Sequence, residues 1–348
     1  MAGLCEEDPM TLTNIIRHWD KIEALRRGDK IWPSMASFHT SNLCNQHCIG
    51  CAHDGTHTNE IMPEEDHFRL VDDLLSVGVK AFDFAGGGEP LLQPYLGRLM
   101  KHIYEHGGWS GILTNGLALN DEMIQALVDY ATYARFSLEA SCQDDYVNYK
   151  RVPRKNWETV LDNIARLQVT KKSFGSRLEV SIKFSVGKML RGQEHYMRCI
   201  ELGEILNAER ITIKALRYYG QELSVEERLE EDAIFRTVIH CLRSNNVNYW
   251  IRQIGFDRVP QCWLNPMQVI FDHAGNMSVC CYRYWDRDEE LGLGNIYEHP
   301  FKDLWMDDSH WDKIKKIDRR NCARADCKFF RHHEAVKESL RRNHVEFI

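Results

Sequence analysis

Three cysteines, Cys44, Cys48 and Cys51, fall within eight residues, separated by three and then two positions. Thiolates at this spacing can wrap one corner of a cubane and hold three irons of a [4Fe–4S] cluster, which leaves the fourth iron without a protein ligand. An open iron is what substrate chemistry needs, whereas a cluster held by four cysteines carries electrons or supports structure. Zinc is the alternative, with His47 or His53 completing the set. Structural zinc sites, however, combine two separated ligand pairs, and this spacing is less typical of them. Further along, Cys262, Cys280, Cys322 and Cys327 could supply four thiolates to a second centre. On these residues alone, zinc and iron–sulfur fit that centre equally well. Between the two groups lies Gly86-Gly87-Gly88-Glu89-Pro90. Its glycines let backbone approach a ligand closely, and its carboxylate can accept from an ammonium group. The turn lacks the G-x-G-x-x-G spacing of a dinucleotide fingerprint.

The elements that must position these residues are legible as alternating β-rich and helical segments. Strands are predicted at Ala36–Ser41, Ala81–Ala85, Gly111–Thr114, Arg135–Ala140, Leu178–Val186 and Arg210–Leu216. Pro63 opens a helix in which Phe68, Val71, Leu74 and Leu75 share a face, and Asn120 can cap another. Six strand–helix units in succession argue for a parallel sheet with helices outside, as an open sheet or a partial barrel, with ligands at the carboxyl ends of the strands. The Cys44–Cys51 loop and the Gly86–Glu89 turn both fall at such ends. After Leu216 the rhythm breaks. A helix around Glu231–Leu242 leads to a hairpin at Gln268–Val279, with a turn at Asp272–Asn276. Residues 329–348 read as a charged, solvated helix.

Composition narrows the setting. Twelve cysteines are many for a chain of 348 residues whose first 29 are charged and helix-like, with Ile15, Trp19, Ile22 and Leu25 on one face, rather than a signal peptide. The cysteines therefore read as metal ligands or reactive thiols in a reducing, cytoplasmic setting. The net charge of −7, without a basic block, excludes nucleic acid as a partner. No run approaches the roughly 20 apolar residues of a membrane helix.

Cys-x3-Cys-x2-Cys directly after the first strand resembles the hallmark of the radical S-adenosylmethionine (SAM) superfamily. Many members carry an aromatic residue before the third cysteine, where this chain has Gly50. Gly87, Gly88 and Glu89 match the family's turn that binds the methionine amino group of SAM. Ser137 and Glu139, in Phe136-Ser-Leu-Glu-Ala140, match a strand end that contacts the SAM ribose, and Asn115 is a further candidate. Cys262, the hairpin, Cys280 and the following Leu293-Gly-Asn-Ile296 resemble the auxiliary-cluster extension called SPASM, or its shorter form, Twitch. The resemblance implies an α/β fold, a partial (β/α)6 TIM-like barrel with a small auxiliary-cluster domain containing a β-hairpin. The implied boundaries are 1–35 for a helical extension, 36–220 for the core, 221–330 for the auxiliary domain and 331–348 for a helical tail. It also implies SAM, a [4Fe–4S] cluster on Cys44, Cys48 and Cys51, and an auxiliary [4Fe–4S] cluster on Cys262, Cys280, Cys322 and Cys327.

The implied chemistry is reductive cleavage of SAM to a 5′-deoxyadenosyl radical that takes a hydrogen atom from an unactivated carbon. Oxidation of the substrate then needs a base, for which Lys183, Lys214, Arg217 and Arg252 are candidates. Epimerisation needs a thiol, and Cys142 and Cys281 are the spare ones best placed. By analogy, the short segment before the first strand favours a carbohydrate or aminoglycoside substrate over a ribosomally made peptide. A flavodoxin- or ferredoxin-type electron donor is implied. A non-catalytic iron–sulfur or zinc protein is the contrasting class, and it would not bind SAM.

Overall fold

The segment Ala131–Glu139 shows why the sheet forms. Ala134, Phe136 and Leu138 are buried on one face, while Tyr133, Arg135 and Ser137 remain partly exposed on the other. That alternation, with period two, buries apolar side chains under helices and leaves a polar inner face. A computed structural model describes residues 12–51, 53, 57–190, 192–216, 224–244, 262–278, 280, 292–316, 332–333 and 335–336.

Helix α1 (Trp19–Arg27) precedes β1 (Met35–His39), α2 (Glu64–Ser76), β2 (Ala81–Phe84) and α3 (Leu96–Glu105). Next come β3 (Trp109–Thr114), α4 (Asp121–Tyr130), β4 (Ala131–Glu139), α5 (Gln143–Lys150) and α6 (Lys155–Phe174). The core closes with β5 (Glu179–Val186), α7 (Gly192–Ile205), β6 (Arg210–Ala215) and α8 (Val225–Ser244). Then follow β7 (Gln268–Asp272), β8 (Asn276–Ser278), β9 (Gly292–Asn295), α9 (Phe301–Met306) and α10 (Asp308–Lys316). The six predicted strands are thus present, each within a few residues of its expected bounds. The caps follow the sequence signals: Pro63 precedes α2, and Asn120 Oδ1 accepts from the Met123 N–H at 2.8 Å. Helix α8 begins six residues before its predicted start at Glu231, because Ser224 and Glu227 form a reciprocal capping box.

Strands β1 to β6 are parallel neighbours in chain order, the arrangement of a partial (β/α)6 barrel. The sequence placed the hairpin in a small separate domain. In the structure β7 pairs in parallel with β1, Met35 opposite Gln268 and His39 opposite Asp272, so one sheet of nine strands runs through both regions. Phe38 joins them: its ring lies 6.0 Å from Phe82 and 5.9 Å from Phe271. Burying each such ring contributes on the order of 2–3 kcal/mol. A second core gathers Ile15, Ile22, Trp263, Trp311 and Val336. His333 and Val336 are fully buried there, so the described part of the 329–348 segment is packed rather than solvated. Its apolar residues are too sparse to reveal a buried face, but α1 and Trp263 supply the partner surface.

On the inner face, Gly111 lies opposite Tyr133, where an added Cβ would fall 2.1 Å from the tyrosine ring. The glycine thereby admits that ring, whose hydroxyl donates to Asp83 Oδ1 at 2.7 Å.

Candidate functional site

The loop after β1 is held from three sides before any ligand is considered. Asn42 N–H donates to the Glu60 carbonyl and Met62 N–H to the Thr40 carbonyl, both at 2.9 Å, so the returning segment flanks the loop. His47 N–H and Ile49 N–H donate to the carbonyls of Lys150 and Tyr149 at the end of α5, at 3.1 and 2.9 Å. The Gly86–Glu89 turn closes the third side: Gly88 N–H donates to the Ser41 carbonyl at 2.5 Å and Glu89 N–H to the Leu43 carbonyl at 2.7 Å. Glycine is required at the contact, since a Cβ on Gly88 would meet Leu43 O at 2.0 Å and one on Gly87 would meet Ser41 O at 2.6 Å. The two motifs are therefore one packed unit.

Glu89 sits at its centre. One carboxylate oxygen accepts from Leu91 N–H at 3.0 Å and from the Thr114 hydroxyl at 2.5 Å; the other accepts from Asn115 N–H at 2.7 Å. A carboxylate offers about four acceptor positions, so roughly one remains for a ligand ammonium. Burial pushes the Glu89 pKa up, against the pull of those donors. Asn115 completes the link, its Nδ2 donating to Asn45 Oδ1 at 2.7 Å.

The three thiols are half-buried on this scaffold. Burial pushes the Cys44 thiol up to about 12 and raises that of Cys48, while Lys150 opposes the rise at Cys48. Cys51 Sγ lies 3.9 Å from His57 Nε2. The other ring nitrogen of His57 lies 3.2 Å from the Asn42 carbonyl and donates to it. Desolvated thiols on one loop, close enough for Cys48 and Cys51 to act on Cys44, suit a cationic metal centre that deprotonates them. The donor set fits a three-cysteine iron–sulfur cluster, beside a backbone cradle that only glycine permits.

Lys150, which sequence reading did not single out, also lies in this group. It is 2% exposed, and its Nζ donates to the Ser137 carbonyl at 2.7 Å. Burial works against its charge, yet Cys48 and Glu139 outweigh burial and hold its pKa above the usual lysine range. Lysines are common on helices, and nothing local distinguishes this one. Glu139 ends β4 with φ of 71°, a left-handed conformation that a non-glycine residue rarely adopts. The turn aims its carboxylate at Lys183 Nζ, 2.5 Å away, and at the Ser185 hydroxyl. Burial opposes ionisation of Glu139, but Lys183 and Lys150 prevail and hold it below the usual carboxylate range.

The structure thus brings together Cys44, Cys48, Cys51, Gly87, Gly88, Glu89 and Asn115, with Ser137 and Glu139 on the adjoining strand end. Lys183 is engaged by Glu139. Lys214 lies on β6 opposite Ser185. Cys142 occupies the N-cap position of α5, beside Asp145 and His195. Cys262 Sγ is 3.8 Å from His333 Nε2, a partner no motif announced, and Cys280 packs at the edge of the main core. Arg217, Arg252, Cys281, Cys322 and Cys327 lie outside the described residues.

Comparison with known proteins agrees with this geometry. Residues 38–173 match the radical SAM superfamily and residues 262–328 match SPASM, an iron–sulfur cluster-binding domain. An S-adenosylmethionine-dependent nucleotide dehydratase of Lacinutrix mariniflava is 28% identical over 143 residues, covering 39% of this chain and 29% of that protein. A PqqA peptide cyclase of Granulibacter bethesdensis is 25% identical over 160 residues, covering 45% of this chain and 39% of the cyclase. The chain thus spans well under half the length of either relative. Streptococcus suis SuiB bound to S-adenosylmethionine superposes with a TM-score of 0.64 at 14% identity, covering 87% of this chain and 72% of SuiB. The cofactors that follow are SAM, its [4Fe–4S] cluster and an auxiliary iron–sulfur cluster, and the chain belongs to the radical SAM superfamily as an enzyme with a SPASM domain.

Proposed function

We propose that this enzyme removes a hydrogen atom from a carbon of a small polar substrate, of the carbohydrate or aminocyclitol class, and that dehydrogenation follows. The polar inner face of the sheet carries the reading. Arg135, Ser137, Glu139, Lys183 and Ser185 line adjoining positions of β4 and β5, immediately beside the cysteine loop. Hydroxyl-rich substrates match such a surface, because each buried polar group needs a hydrogen-bond partner.

When bound, SAM and its cluster supply the hydrogen-abstracting radical, and the auxiliary cluster supplies a sink for electrons. The chain's own residues do the rest. Gly87 and Gly88 let the turn close on the cysteine loop, next to where SAM would bind, and Glu89 has acceptor capacity left for its ammonium group. The ionised Glu139, steadied by Lys183, is the group we assign to accept the proton that leaves the oxidised carbon. The α5 end anchors the loop, its Tyr149 and Lys150 carbonyls accepting from Ile49 and His47 N–H. Epimerisation would instead need a thiol to return a hydrogen atom, the role open to Cys142 or Cys281. We assign electron delivery to a flavodoxin- or ferredoxin-type protein. Among the described residues no helix is long and apolar enough to cross a membrane.

A peptide substrate is the second reading, favoured by the 25% identity to a PqqA peptide cyclase. The test is anaerobic reconstitution of the enzyme and of a Cys44→Ala/Cys48→Ala/Cys51→Ala variant, with iron counted and SAM cleavage followed. About four fewer irons in the variant, with reductant-dependent 5′-deoxyadenosine lost, is the expected result. Aminocyclitols, aminoglycosides and peptides are then compared as stimulants of 5′-deoxyadenosine formation. A product two mass units lighter marks dehydrogenation, and an unchanged mass marks epimerisation. Stimulation by peptides alone would overturn the small-substrate reading.

A further inference from the structure

Helices α5 and α7 meet around a group of side chains that neither iron–sulfur site uses. The Cys142 sulfur, an Asp145 carboxylate oxygen and a His195 ring nitrogen all lie within 4.8 Å of one another. We propose that Cys142, Asp145 and His195 form a mononuclear site for a divalent transition metal of the zinc class, distinct from both iron–sulfur centres.

The distances argue for a metal over a hydrogen-bonded pair. His195 Nδ1 and Asp145 Oδ2 are 3.6 Å apart, and His195 Nδ1 and the Ser141 hydroxyl are 3.4 Å apart. Good hydrogen bonds to nitrogen run about 2.7–3.2 Å, so the imidazole and carboxylate stand too far apart for one. Ligand bonds of about 2.0–2.3 Å place the donors of a tetrahedral ion about 3.3–3.8 Å from each other. The His195–Asp145 pair stands at that separation, and the Cys142 sulfur lies within 4.8 Å of both. The Asp145 and His195 side chains are only 5% and 8% exposed, so an ion between them would meet donors already largely removed from water.

The spacing agrees. Cys142 and Asp145 are three apart at the first turn of α5, and His195 and Cys199 are four apart on α7. These are two separated ligand pairs, the pattern that the Cys44–Cys51 loop lacks. Cys142 occupies the N-cap position of α5 but makes no side-chain capping hydrogen bond, so its thiol is not spent on the helix. Cys199, 3% exposed, hydrogen-bonded to Ser141 and close enough to Cys142 and Asp145 to feel their charge, is the further thiol that would complete the set. A sulfur, oxygen and nitrogen donor set of this kind suits zinc better than the harder magnesium or calcium. The ion would pin the start of α5 to α7, while the end of α5 holds the Cys44–Cys51 loop. It would also withdraw Cys142 from hydrogen-atom donation.

The test uses the reconstituted holoenzyme, equilibrated with zinc sulfate and desalted, with zinc and iron counted and the zinc K-edge X-ray absorption recorded. The expected result is about one zinc per chain, with one or two sulfurs near about 2.3 Å and nitrogen or oxygen near about 2.0–2.2 Å. Cys142→Ser should retain its iron, bind zinc at least about 100-fold more weakly and lose one sulfur from the zinc shell; His195→Gln should weaken zinc likewise. Less than about one tenth of a zinc in the wild type would overturn the proposal. So would a shell of four sulfurs, or zinc undiminished in both variants. Because the wild-type spectrum decides by itself, a variant that fails to fold leaves the proposal open to refutation.

Discussion

Cys44, Cys48 and Cys51 occupy one loop whose backbone is tied to α5, to the returning segment at Glu60–Met62 and to the glycine turn. Cys262, by contrast, meets His333, a residue 71 positions away, and that histidine also accepts from Trp263 N–H at 3.2 Å. The first site is assembled from neighbours in sequence and fixed by main-chain hydrogen bonds. The surroundings of Cys262 are assembled by packing between α1, Trp263, Trp311 and Val336. Loop-built ligands leave a spacing that can be read, whereas packing-built ones leave none. The contrast also separates what each region should tolerate: the first is sensitive to charge and backbone clearance, the second to loss of contacts.

The sharpest way to break the comparison is Lys150→Met. It removes the buried ammonium between Cys48 and Glu139 while keeping the bulk of the side chain. Deleting one partner from a buried ionic group costs on the order of 3–5 kcal/mol, measurable as a fall in the unfolding midpoint. The midpoint potential of the first cluster should become more negative, with the auxiliary cluster unchanged, as read by redox titration with electron paramagnetic resonance. Lys150→Arg should recover part of both effects. Equal shifts at the two clusters would show that the lysine does not act locally.

Acid should strike both regions through buried histidines. Burial holds His67, beneath Phe38 and Phe84, down to about 3, and does the same to His333 beside Cys262. Each stays neutral in the fold, while in the unfolded chain it takes up a proton below about pH 6.5. Their contribution is therefore complete above that pH and is lost as pH falls toward about 3. At pH 5 the loss is about 2 kcal/mol per histidine. Urea unfolding at pH 7 and pH 5 measures it, and His67→Leu should remove one histidine's share of the difference. An unchanged slope in that variant would exclude His67 as a source.

The smallest expected effect belongs to His333→Ala. The Trp263 N–H loses its acceptor and Cys262 loses a neighbouring donor, a cost of about 1–3 kcal/mol. Reductant-dependent SAM cleavage should persist at near wild-type rates, while the spectrum of the auxiliary cluster changes. A loss of SAM cleavage as large as that of the triple-cysteine variant would mean that the two regions are not separable.

Much of this was open to a reader of the chain alone. Period-two alternation around Phe136 marks a strand buried on one side, and Pro63 and Asn120 mark helix starts by removing or satisfying an unpaired N–H. The Cys44–Cys51 spacing and the Gly86–Glu89 turn fall after consecutive strands, and consecutive parallel strands bring their carboxyl ends together. The longer start of α8 was also readable, since Ser224 and Glu227 have the spacing of a capping box. The grouping of Cys142, Asp145 and His195 was not, because its two halves lie about fifty residues apart and only α5 meeting α7 brings them together.

The amino-acid order by itself determined the strands, the helix caps and the cysteine loop, because each depends on residues within a turn or two of one another. Tertiary structure alone decided that β7 joins β1 in one sheet, that Lys150 is the cation beside Cys48, that Glu139 pairs with Lys183 and that His333 faces Cys262. Charge pairing and burial act across space, and no local pattern records which distant side chain will fill a desolvated position.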